Sequence, residues 1–126
     1  MKFTRVTFVG RIPSLKQARR IIKIRGHLAL VPSIAWNRYE KEVLRTMPKP
    51  DKPIPGPYEI HYAINLKGKG FQDIDNIVAG INDLLQKLNY LEDDRYIYKI
   101  TADKIVGARE YEALVEIKHI PNVAKI

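Results

Sequence analysis

The sequence predicts an α+β fold: a single small domain in which a mixed or antiparallel sheet carries two main helices on one side. Two segments decide this. Residues 58–66 (YEIHYAINL) alternate strictly, with Tyr58, Ile60, Tyr62, Ile64 and Leu66 on one face and Glu59, His61, Ala63 and Asn65 on the other, the two-residue period of a strand. Residues from about 76 to 88 place Ile77, Ile81, Leu84, Leu85 and Leu88 on one stripe, the period of a helix that buries one face. The remaining strand-like segments outnumber the helical ones, and the last two read as an antiparallel pair, so the helices are expected together on one side of the sheet.

The other elements follow in chain order. Residues 2–9 (KFTRVTFV) are rich in β-branched and aromatic types and stop at Gly10, which reads as a strand. Residues 18–31 form two short extended runs around Arg25-Gly26-His27, a hairpin whose glycine supplies the positive φ of a tight turn. Ser33 suits the N-cap of a helix over 34–47, where Trp36, Val43, Leu44 and Met47 recur at helical spacing. Pro48, Pro50, Pro53, Pro55 and Pro57 forbid regular helix or central strand, so 48–57 is a loop within the domain. Lys67-Gly68-Lys69-Gly70 breaks the alternating strand before the second helix. Strands over about 96–106 and 111–119, separated by Gly107-Ala108-Arg109-Glu110, are predicted to close the chain as a hairpin.

Composition narrows the chemistry. The 126 residues suit one domain, 1–126, able to bury a core without disulfides, and 45% hydrophobic with 29% charged residues is ordinary globular usage. No apolar run is long enough for a membrane span, and the N-terminus lacks a signal-peptide core, which predicts a cytoplasmic protein with no membrane partner. There is no cysteine, hence no thiol nucleophile and no Cys-based zinc site. His27, His61 and His119 show no metal-ligand spacing.

The net charge of +8 points to a polyanionic partner. Arg11, Lys16, Arg19, Arg20, Lys23 and Arg25 crowd the N-terminal segment, and Lys67 and Lys69 flank the later glycines. The acids gather elsewhere. Asp73 and Asp75 stand two apart where a loop enters a helix, so an extended backbone points both carboxylates the same way. Hard oxygen ligands of this kind suit Mg²⁺, the common cofactor of phosphodiester hydrolysis. Asp75 equally suits an N-cap and Asp73 a turn, and on the pair alone capping is the cheaper reading. Glu92-Asp93-Asp94 follow the helix, where its dipole disfavours acids unless a cation collects them or water screens them.

The order of these residues resembles the RusA-type Holliday junction resolvases, crossover junction endodeoxyribonucleases. That family runs strand, Asp-x-Asp-Asn, helix with Asp-Ala-Leu, turn, Asp-Asp, strand; this chain has Asp73-Ile74-Asp75-Asn76, then Asp83-Leu84-Leu85, then Leu91-Glu92-Asp93-Asp94. The resemblance extends to the basic N-terminal segment, the helix over 34–47 and the closing strands. It implies that Asp73, Asp75 and Asp94 are the catalytic, metal-binding carboxylates, with Asp83 and Asp93 as supporting acids and Asn76 completing the motif. It implies Mg²⁺ as cofactor with no small-molecule cofactor, branched DNA such as four-way junctions as partner, and a homodimer that cuts symmetrically in DNA recombination and repair. Two positions depart from the family. The lysine expected four residues after the second motif aspartate is Ala79, and the basic residue expected before the first is Gln72. Lys67, Lys69, Lys99 or Arg95 would then supply the missing cation, or the protein is a branched-DNA binder that cuts poorly or not at all. A basic domain that binds RNA or protein is a third reading.

The expected helix is about 20 Å long, so Asp94 starts far from Asp75. Either the following turn doubles back and gathers the three aspartates in one chain, or the cluster forms across a twofold dimer interface.

Overall fold

Strict alternation along 58–66 leads to a strand with one fully buried face. In the computed structural model, which describes residues 3–13, 19–32, 34–121 and 123–124, β4 (Tyr58–Lys67) buries Tyr58, Ile60, Tyr62, Ile64 and Leu66 on one face. It is paired on both sides. With β1 (Phe3–Val9), β5 (Ile97–Ala108) and β6 (Glu112–His119) it forms a four-stranded sheet of order β1-β6-β4-β5. β1 and β6 are antiparallel, as are β6 and β4, whereas β4 and β5 run parallel. The register aligns Val6, Val115 and Tyr62 in one row and Phe8, Ala113 and Ile64 in the next, so the buried side chains of three strands share a face.

Two helices pack on this sheet, giving the expected α+β architecture. α1 (Ile34–Thr46) buries Trp36 and Val43, and α2 (Ile74–Lys87) buries Ile77, Ile81, Leu84 and Leu85, with Leu88 just beyond. They meet where Gly80 leaves room for Trp36: a Cβ at Gly80 would lie 3.1 Å from the indole. The end of α2 is a Schellman motif. Asn89 takes φ 70°, its N–H donates to Gln86 O, and Tyr90 N–H donates to Leu85 O at 2.9 Å. No described helix is long and apolar enough to cross a membrane.

The proline-rich loop is fastened to the turn after α2. Asn89 Nδ2 donates to Pro50 O, the Tyr90 hydroxyl to Pro48 O, and the Tyr58 hydroxyl donates to Ile54 O while accepting from Glu92 N–H. β2 (Arg19–Ile24) and β3 (His27–Pro32) form the expected hairpin as a separate two-stranded sheet. Arg25 and Gly26, at φ 50° and 83°, both adopt the left-handed conformation that a two-residue hairpin turn of this twist requires. The expected cap at Ser33 lies outside the described residues.

Two expectations are corrected. β5 and β6 do not pair with each other, because β4 lies between them. The crossover through α2 returns the chain to the start of β4, so β5 adds in parallel at the edge. The more apolar β6, with Ala113, Val115 and Ile117 buried, takes the interior place. The helix also begins two residues before the expected start, so Asp73 and not Asp75 occupies the N-cap position.

Candidate active site

The approach to Asp73 is built by two glycines and a glutamine. Gly68 and Gly70 have φ of 64° and 62°, and a Cβ on Gly70 would fall 2.4 Å from Val106 Cγ1, so the turn is pressed against β5 at a point only glycine fits. Gln72 then ties the turn to the N-terminal segment: its Nε2 donates to Ile12 O at 2.7 Å, and its Oε1 accepts from Arg11 Nε at 3.2 Å. The Arg11 guanidinium is thereby held on Gln72, the residue just before Asp73. Spacing alone gave no sign of that contact, because the partners are 61 positions apart.

Asp73 sits at the N-cap position with extended backbone (φ −74°, ψ 132°), and its carboxylate makes no cap hydrogen bond to the helix N–H groups. The buried Asn76 donates from Nδ2 to Asp73 Oδ2 at 3.5 Å, a long contact. Asp75 is exposed in the first turn of α2. Both acids benefit from the positive end of the helix dipole.

The second acidic group lies at the other end of α2. Asp94 opens a single 3₁₀ turn (Asp94–Tyr96), and its N–H donates to Gln86 Oε1 at 2.8 Å. Asp93 accepts from Arg95 N–H and lies 3.8 Å from Arg95 Nε. The Asp94 carboxyl is pushed above the usual carboxylate range, first by burial, then by its hydrogen bond to Asp93 and by the charges of Asp93 and Asp83. Asp83 pairs with Lys87 at 3.0 Å, and Lys87 also bonds Glu40. Nearby, the buried Tyr62 hydroxyl donates to Asn82 Oδ1 at 2.5 Å.

One chain therefore holds Asp73 and Asp75 at the N-terminus of α2, and Asp83, Asp93 and Asp94 toward its C-terminus. From Asp75 to Gln86, which anchors Asp94, is about 16 Å along the helix. No three His, Asp or Glu side chains among the described residues form a metal-holding group. Spacing along α2 leaves both the single-chain and the two-chain cluster open. In kind the donors fit Mg²⁺. They are carboxylate oxygens, one or two of which serve that ion beside water and phosphate, and crowding around Asp94 is relieved by a cation.

Among the expected DNA-binding residues, Arg11, Lys23, Arg25, Lys67 and Lys69 are exposed. Arg19 and Arg20 lie on β2, and Lys16 falls outside the described residues. Lys99 pairs with Glu59 at 3.7 Å, and Arg95 is engaged by Asp93 and by the Tyr96 hydroxyl, which leaves Lys67 and Lys69 nearest in the chain to Asp73. Ala79 is exposed one turn beyond Asp75. Trp36 is buried, as its periodicity predicts. Sequence reading passed over Phe71, an exposed aromatic two residues before Asp73, because it belongs to no periodic pattern.

The chain is similar to a phage crossover junction endodeoxyribonuclease. That relative, the protein rusA of Lactococcus phage r1t, is 27% identical over 117 aligned positions, which cover 83% of this chain and 89% of the relative. No family model matches the chain.

Proposed function

We propose that this protein is a Mg²⁺-dependent endonuclease that resolves four-way DNA junctions by paired phosphodiester hydrolysis, acting as a homodimer. The observation that carries this reading is the likeness, along most of both chains, to a protein named as a crossover junction endodeoxyribonuclease, with the Asp-x-Asp-Asn stretch at a helix N-terminus and Arg11 bonded to Gln72 just before it. Asp73 and Asp75 hold the metal, with Asn76 steadying Asp73. When bound there, Mg²⁺ would supply an activated water and charge compensation for the departing 3′-oxygen, so that hydrolysis would leave a 5′-phosphate and a 3′-hydroxyl. Arg11, Lys67 and Lys69 bind the flanking phosphates, a contact that weakens as salt rises.

The two acidic groups are joined by a second copy. β5 is one of the two edges of the sheet, β1 being the other, and it is the edge nearer β4. Antiparallel pairing of β5 with its own copy, about a twofold axis perpendicular to the sheet, sets α2 antiparallel to the partner's α2 on the same face. Asp73 and Asp75 then stand near the partner's Asp94, and the dimer carries two such sites for a twofold-symmetric junction.

A branched-DNA binder without nuclease activity is the second reading, favoured by Ala79. The test is cleavage of a mobile four-way junction and of linear duplex, in Mg²⁺ and in EDTA, by the wild type and by Asp75→Asn. Symmetric nicks that need Mg²⁺ and fall at least a hundredfold in Asp75→Asn, with junction affinity kept, support the nuclease. Because Asp75 lies in the first turn of α2, Asp75→Asn should lower stability by no more than about 1 kcal/mol, far too little to account for such a loss of cleavage. Tight junction binding without nicks would support the binder, and no preference for the junction would sink both.

A further inference from the structure

Phe71 is 87% exposed, more than any other large apolar side chain among the described residues. Single exposed hydrophobics are ordinary, but this one is anchored on both sides. Before it, the Gly70 backbone is pressed against Val106 and the Lys104 side chain. After it, Gln72 is bonded to the Ile12 carbonyl and to Arg11. The ring is thus displayed from a fixed turn, two residues from Asp73, among the exposed cations Lys67, Lys69 and Arg11.

Those cations recognise phosphate, and phosphate is common to every DNA. An aromatic face adds something different, since it stacks on a base only where that base is not already covered by its neighbours. Linear duplex offers such faces only at its ends, whereas strand exchange at a branch interrupts stacking within the molecule. We propose that Phe71 stacks on a base left open at the branch point, and that this contact supplies the preference for branched over linear DNA. The inference rests on the branched-DNA reading. It adds to that reading the residue by which a branch is told from a duplex, with the carboxylates and cations left to the chemistry and to backbone contact.

The test compares the full-length wild type, Phe71→Ala and Phe71→Trp, binding a four-way junction and a linear duplex of the same sequence in EDTA, so that cleavage plays no part. Phe71→Ala should bind the junction about tenfold more weakly and the duplex unchanged. Phe71→Trp should keep junction affinity, and its added indole emission should be quenched by the junction and not by duplex; Trp36 is buried and serves as a constant background. Equal weakening toward both DNAs, or no weakening, or no quenching, overturns the proposal while leaving a wild-type junction preference intact. A wild type without junction preference overturns the branched-DNA reading itself, and this inference with it.

Discussion

Gln72 and Ala79 both stand where a cation is expected, and their surroundings treat them differently. Gln72 carries no charge but accepts from the Arg11 guanidinium, so a cation is bonded to the residue just before Asp73. Ala79 is exposed on α2 with no charge of its own. If the site holds a phosphodiester, a cation here would stabilise charge that grows in the transition state. Ala79→Lys should therefore raise the single-turnover cleavage rate on a junction by about tenfold or more, with little change in junction affinity. An unchanged rate would mean that Arg11, Lys67 or Lys69 already supplies the charge. The acids and these two departures could be read from residue type and order. The Gln72 contact could not, because it depends on how segment 11–13 is laid across the end of β4.

Helix α2 shows what periodicity reveals and what it hides. Its apolar stripe was legible from Ile77 to Leu88 because burial selects one face, but its start was not, since Asp73 and Ile74 carry no such signal. The strand pairing shows the same limit. β4 declared itself by alternation, while the adjacency of β5 and β6 was misread because a turn between strands fixes their direction and not their neighbours. Gly80 tests the packing directly. In an isolated helix Gly→Ala gains about 1 kcal/mol. Here the added methyl comes within 3.1 Å of Trp36, which is buried and held at the α1–α2 contact, so it has little room to move. Gly80→Ala should lower stability by about 1–2 kcal/mol in urea unfolding. A gain would mean that α1 shifts freely on α2, and that the turn leading to Asp73 is less firmly backed than the packing indicates.

The separation of the acids is a property of the whole chain, set by a helix of 14 residues and by the lacing of the proline loop to residues 89–92. No local pattern encodes that distance, so the sequence left the single-chain and two-chain clusters equally open. The open edge of β5 carries the consequence of choosing two chains. Ile100, Ile105 and Val106 are about half exposed there, an unusual load for an unpaired edge, which natural sheets usually blunt or cover. The strand's charges fit its own reversed copy in one register, Lys99 and Asp103 being exposed side chains that also contact Glu59 and His61 within the chain. With Thr101 on the twofold axis, Lys99 lies opposite the partner's Asp103; a shift by one residue sets Lys99 against the partner's Lys104 instead. That register also suits the site. Thr101 is next to Ala102, which pairs with Tyr62, whose hydroxyl bonds Asn82, so the axis falls near the level on α2 that lies between Asp75 and the turn bearing Asp94. Lys99→Asp and Asp103→Lys should each shift the protein from dimer to monomer in sedimentation at micromolar concentration, and the double exchange should restore the dimer. Because the chain has no cysteine, Thr101→Cys should form one symmetric disulfide, read as a covalent dimer on a non-reducing gel. If both single variants stay dimeric and Thr101→Cys does not cross-link, the sheet does not continue through β5, and this edge does not bring the two acidic groups together.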